Sequence, residues 1–130
     1  EPTRGITSVL RGEHGMDQAL HHPENLGADV LFTDEKSVPA ADLFLSDAFK
    51  SFLNDMKERY DIIVINVPAI SATPSTLAVI SLAQTVLLNV RWNRTTKHEL
   101  NTALRSIQHA GITLSGVILA KTGAPTLQPK

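Results

Sequence analysis

Asn66 is the residue best placed to do chemistry in this sequence. It follows residues 62–65, four apolar β-branched side chains in a row with no polar alternation. That is the pattern of a strand buried on both faces, as in a parallel sheet. Ligands of open α/β sheets sit beyond the carboxyl ends of the strands, so Asn66, Val67 and Pro68 stand where chemistry is expected. An asparagine is neutral there and holds a hard cation far more weakly than a carboxylate does. A second candidate is the loop holding Arg91, Trp92 and Arg94, beyond the end of the next apolar run. Guanidinium groups beside an indole suit an anion or a protein interface, where both residue types are enriched. The plainer alternative is a loop anchored by a half-buried tryptophan.

Other reactive residues have simpler readings. His21 and His22, with His14, invite a metal, but adjacent side chains on a helix point apart. The sequence has no cysteine and no matching further ligand, so it offers no metal site. His98 and His109 fall on the exposed or boundary side of one helix and read as solvated. Ser71, Ser75 and Ser81 lack a G-x-S-x-G elbow and an identifiable base. Tyr60, the single tyrosine, precedes the 62–65 run at a helix end. Packing or capping that junction accounts for it better than a phosphoacceptor role.

The elements that would position these residues follow from periodicity and caps. Residues 6–11 spell a short helix with Ile6, Val9 and Leu10 inward, ended by Gly12. Residues 16–20 spell another, with Met16, Ala19 and Leu20 inward, stopped by His21, His22 and Pro23. Residues 28–32 read as a strand, 34–39 as a loop and 40–45 as one helical turn. Ser46 reads as the N-cap of a main helix over 47–59 whose inward stripe is Phe49, Phe52, Leu53 and Met56. Asp47 in its first turn and Arg59 in its last suit the helix dipole. After the 62–65 strand, Thr73 and Pro74 open a helix over 74–83 that is apolar nearly all round. A strand over 85–90 leads to the loop at 91–95. Thr96 and Glu99 then form a capping box for a helix with Leu100, Ala103, Leu104 and Ile107 on one stripe, closed by Gly111. A strand over 112–119 and a loose tail over 121–130 complete the chain. Such alternation predicts an α/β fold of three layers, a parallel sheet with helices on both faces. Four strands is thin for such a sheet, so strands are expected to be missing at the amino end.

Composition narrows the class. The length of 130 residues fits one domain over 1–130, and the opening Glu1-Pro2-Thr3-Arg4 reads as the interior of a longer protein. A net charge of −1 gives no footprint for nucleic acid. No apolar run approaches the roughly 20 residues of a membrane-spanning helix.

The stretches RGITSVLRGE, VPAADLFLSDAFKSFLNDMKERYDIIVINVPAI, TLAVISLAQTVLLNVRWNRTTKHEL and GITLSGVIL resemble, in order, the cytoplasmic domain of bacterial tyrosine kinases and polysaccharide co-polymerases, nearest to rhizobial-type exopolysaccharide transport proteins. The resemblance implies a P-loop NTPase-like fold without its amino-terminal Walker A strand. Active members use ATP and magnesium, a Gly-rich phosphate loop, a second acidic motif, a strand-end aspartate and a tyrosine-rich tail. Here G-x-x-x-x-G-K-[ST] occurs nowhere: Gly116 and Gly123 are not placed for it, and Lys121-Thr122 has no glycine just before it. The strand-end motif, usually aspartate-threonine-proline-proline, reads Asn66-Val67-Pro68-Ala69. The acidic residue of the next loop falls at Thr73, and the asparagine near the base falls at Ala120.

The expectation is therefore a degenerate, non-catalytic domain of a protein for exopolysaccharide biosynthesis, chain-length control and transport. Asn66 and Pro68 would be a remnant Walker B position, with no catalytic residue, cofactor or metal in this chain. Arg91, Trp92 and Arg94 would be an interaction surface for the export machinery or for another copy. The parent would be anchored at the cytoplasmic side of the bacterial inner membrane. Two alternatives remain at this point: a truncated piece of an active ATP-dependent protein tyrosine kinase, and a relative of the partitioning ATPases.

Overall fold

The computed structural model describes residues 4–33, 41–70 and 74–123. The chain divides into two compact units, Glu1–Ile65 and Asn66–Lys130.

The first unit is mainly helical. Helix α1 (Ile6–Leu10) starts at Gly5, whose N–H donates to Ser8 Oγ at 3.2 Å while the Ser8 hydroxyl donates back to the Gly5 carbonyl at 2.8 Å. This cap fixes the rotation of a five-residue helix. It turns Thr7 and Ser8 inward and leaves Ile6, Val9 and Leu10, the expected inner face, only half-buried. Helix α2 (Met16–Ala19) stops one residue short of the sequence expectation, because Leu20 enters strand β1 (Leu20–His21). β1 pairs antiparallel with β2 (Val30–Leu31), Leu20 opposite Leu31 and His21 opposite Val30. The 28–32 strand was expected in a parallel sheet; the return over residues 22–29 is too short for a parallel crossover. The Leu26 N–H donates to the Pro23 carbonyl at 3.1 Å and Gly27 takes a φ of 61°, so the chain doubles back locally.

Helix α3 (Ala41–Phe44) leads into α4 (Asp47–Arg59), which has the bounds that its periodicity predicts. The Phe49 N–H donates to Ser46 Oγ at 3.3 Å, while the Ser46 hydroxyl donates to the Leu43 carbonyl at 2.6 Å, tying the two helices at the cap. Phe49, Leu53 and Met56 are buried, and Phe49 meets Phe44 edge-on at 5.1 Å and stacks on Phe52 at 6.4 Å. Burying one such aromatic contributes about 1.5–3 kcal/mol, which makes this cluster the centre of the first unit.

Residues 62–65 depart most from expectation. Among the described residues they pair with no strand. Ile62 and Val64 are 80% and 85% exposed, against 37% and 38% for Ile63 and Ile65. Among the described residues the run is thus not an interior strand: one side is partly covered, and no described neighbour supplies backbone partners or a covering layer to the other.

The second unit is a βαβ arrangement with a preceding helix. Helix α5 (Pro74–Ile80) buries Thr76, Val79 and Ile80. It ends before residue 83, where Leu82 and Ala83 donate to the carbonyls of Val79 and Ile80 in a tightened final turn. Strands β3 (Leu87–Arg91) and β4 (Gly116–Ala120) pair parallel, with Leu87 opposite Gly116 and Arg91 opposite Ala120. Helix α6 (Lys97–His109) is the crossover between them. Its capping box forms as predicted: the Glu99 N–H donates to Thr96 Oγ1 at 3.2 Å and the Thr96 N–H to Glu99 Oε2 at 2.8 Å. Gly111, at a φ of 69°, ends the helix, and the Ile112 N–H still donates to the Ile107 carbonyl. For that reason β4 begins at residue 116 and not at 112.

The expected four-stranded parallel sheet is therefore reduced, among the described residues, to one parallel and one antiparallel pair. The loop over 34–39, Ser71 and the Thr73 cap lie outside the described residues, as do residues 124–130 of the tail; Lys121, Thr122 and Gly123 are exposed. Among the described residues no helix is long and apolar enough to cross a membrane.

Candidate functional site

Each site residue can be followed from its element. Asn66 and Pro68 lie in the irregular stretch after residues 62–65, and both are exposed. From residue 66 to residue 70 the only side-chain oxygen is the amide of Asn66; Asp61 lies at the other end of the apolar run. Magnesium with a nucleotide triphosphate needs carboxylate or hydroxyl ligands and a phosphate cradle. Residues 66–70 do not fit that pair.

The Arg91 loop is built differently. Because β3 and β4 are parallel, their carboxyl ends share one edge of the pair. Arg91 ends β3; the Trp92 N–H donates to the Ala120 carbonyl at 2.9 Å. The Arg91 N–H donates to Thr95 Oγ1 at 3.1 Å, and the Arg94 and Thr95 N–H groups both donate to the Arg91 carbonyl. Asn93 takes a φ of 56°, a left-handed position that asparagine tolerates better than most residues. Backbone bonds thus hold the loop, and Trp92 is left 59% exposed. With that exposure the indole presents more than half of its surface outward. Lys121, directly after β4 and also left-handed at 57°, brings another cation to the same edge. Sequence reasoning passed over it, because only the parallel register places it beside Arg91.

The histidines and the tyrosine fall in the first unit. His21 packs edge-on against Phe32 at 5.0 Å, whereas His22 Nδ1 lies 2.6 Å from Asp29 Oδ1. Neighbouring imidazoles thus serve different partners. Among the described residues no three His, Asp or Glu gather as a metal would require. Tyr60 caps the end of α4, its N–H donating to the Met56 carbonyl, and its hydroxyl donates to Asp29 Oδ2 at 2.5 Å. One carboxylate, on the residue just before β2, therefore ties that strand's start to the end of α4. The Tyr60 hydroxyl, with His22 second, holds the Asp29 carboxyl below its ordinary range, and the same bond pushes the Tyr60 phenol up. Asp29 is a residue that sequence reasoning missed: it sits 31 positions from Tyr60 with no local pattern linking them.

Charge separates the units sharply. The first holds six Lys and Arg against twelve Asp and Glu, a net −6; the second holds six against one, a net +5. The single acid of the second unit, Glu99, is engaged by the Thr96 cap, whose backbone N–H bond is the main cause of its lowered pKa.

No family model matches the chain. It is 26% identical over 115 residues to the tyrosine-protein kinase ptk of Acinetobacter johnsonii, covering 88% of this chain and 16% of that protein. It is 25% identical over 114 residues to the putative tyrosine-protein kinase EpsB of Ralstonia nicotianae, covering 88% and 15%. The chain thus spans about a sixth of the length of these curated relatives. Among solved structures, the VpsO kinase domain superposes with a TM-score of 0.84 at 25% identity, over 91% of this chain and 58% of that one. The kinase domain of the Escherichia coli tyrosine kinase ETK superposes at 0.83 over 96% of this chain and 50% of that one; at 21% identity it speaks to the fold alone. In sequence and in fold this chain is thus similar to the bacterial tyrosine-protein kinases and to their kinase domains.

Proposed function

We propose that this chain is a degenerate, non-catalytic domain of a protein for exopolysaccharide biosynthesis, chain-length control and transport. The observation that carries the reading is Asn66, an exposed amide just after the 62–65 run, at the position where the resemblance expects a metal-binding aspartate. Two further positions support it: Thr73 stands where the resemblance expects an acidic residue, and Ala120 where it expects an asparagine. In this reading the chain holds no cofactor. It acts through contacts with the export machinery or with other copies, at the cytoplasmic side of the inner membrane that anchors its parent. Calorimetry with magnesium and ATP is the test: no heat of binding is expected at millimolar nucleotide, and micromolar affinity would refute the reading.

A second reading, part of an active ATP-dependent protein tyrosine kinase, is favoured by the names of the relatives and by the small share of their length that is matched. The parent sequence decides between the two. A phosphate loop and a second acidic motif upstream of Glu1 would support the enzyme, and a loop without Gly-Lys-Ser/Thr would remove it.

A further inference from the structure

We infer that the carboxyl edge of the β3–β4 pair is a docking surface for an acidic protein segment. Four observations converge on it. Arg91, Arg94 and Lys121 are brought to one edge by the parallel register. None of them has a carboxylate partner among the described residues, and the second unit offers only Glu99, which its own cap engages. Trp92 stands in the same loop, 59% exposed on a backbone already fixed by hydrogen bonds. The excess of five positive charges on this unit gives the edge a field that draws anionic partners.

The loop also indicates what kind of anion it fits. The backbone N–H groups of Arg91, Trp92, Arg94 and Thr95 are all spent inside the fold. No run of amides is left to wrap a phosphate. Recognition falls to side chains: guanidinium forks for carboxylates and an indole face for an apolar side chain, the pairing that dominates protein interfaces. An acidic segment with an aromatic or aliphatic residue among its carboxylates meets both. This inference holds whether or not the parent is an active kinase.

The test is fluorescence anisotropy of a labelled peptide of alternating glutamate and phenylalanine against the full chain. Binding should weaken steadily with added salt, and the lysine-phenylalanine counterpart should not bind. Trp92→Ala and the pair Arg91→Glu with Arg94→Glu should each weaken binding by about tenfold or more. Arg105→Glu, on exposed α6, should change it by less than about twofold. Equal loss with Arg105→Glu would overturn the inference, reducing the surface to net charge. Tighter binding of polyglucuronate or of phosphatidylserine vesicles through the same residues would overturn it in favour of a general polyanion surface. So would sedimentation showing that the chain pairs with itself through Arg94 without competition from the peptide.

Discussion

The two units of this chain have helices of equal length and opposite electrostatic character. Helix α4 and helix α6 each run for 13 residues from a side-chain cap. In the first unit α4 buries Phe49, Leu53 and Met56 among other helices, and acids outnumber bases two to one. In the second, α6 fully buries only Ile107, serves as the crossover of a parallel pair, and has almost no acid near it. A net charge of −1 for the whole chain describes neither unit. The difference teaches that the first unit gathers its large buried apolar side chains on α4, whereas the second spreads Val79, Ile80, Val90 and Ile107 over α5, β3 and α6 and displays its charge at an edge.

Removing the core is the harshest way to break that contrast. Phe49→Ala is expected to cost the first unit about 3–5 kcal/mol, and Ile107→Ala a value near the lower end of about 2–5 kcal/mol in the second. Urea unfolding measures both, and equal losses would erase the distinction. The caps come next: Ser46→Ala and Thr96→Ala should each cost about 1 kcal/mol, with the far-ultraviolet signal reporting fraying of α4 or α6. A loss in one helix only would show that the two caps are not equivalent.

The tie of Asp29 to Tyr60 sharpens the comparison through pH. The folded Asp29 carboxyl titrates below its ordinary 3.8, so its contribution is present above that value and is lost as pH falls through the folded pKa. The folded Tyr60 phenol titrates above its ordinary 10.0, so its contribution is present below that value and is lost as pH rises through the folded pKa. Because Tyr60 is the only tyrosine, phenolate absorbance reads it directly. The midpoint should lie above 10.0 and move back toward it in Asp29→Asn; a wild-type midpoint at or below 10.0 would mean the bond is absent in solution. The smallest effect is expected from Asn66→Asp. A carboxylate without a phosphate cradle should give no autophosphorylation with radiolabelled ATP, and any gain would contradict the non-catalytic reading.

What the sequence made legible was local. Ser46 three residues before Phe49, and Thr96 three before Glu99, announce helix starts because each bond closes within one turn. The stripe of Phe49, Leu53 and Met56 is likewise a matter of 3.6-residue spacing. The misreadings involve partners far away in sequence or not among the described residues. Apolar residues at 62–65 state what environment they suit, not whether this chain supplies it. The pairing of Leu20 with Leu31 depended on how tightly the chain turned at Pro23 and Gly27. In the site, the Arg91 loop could be singled out from its composition, but Lys121 joins it only through strand register, and Asp29 meets Tyr60 only through tertiary folding.

Concentrated solutions of this chain should deposit first through residues 62–65. Ile62 and Val64 offer a water-facing apolar strip on a stretch with no strand beside it among the described residues, and such a strip is a seed for fibrous growth. A lysine in place of Val64 would put a charge in the growing stack and lengthen the useful life of a sample, leaving the cationic edge of the second unit untouched.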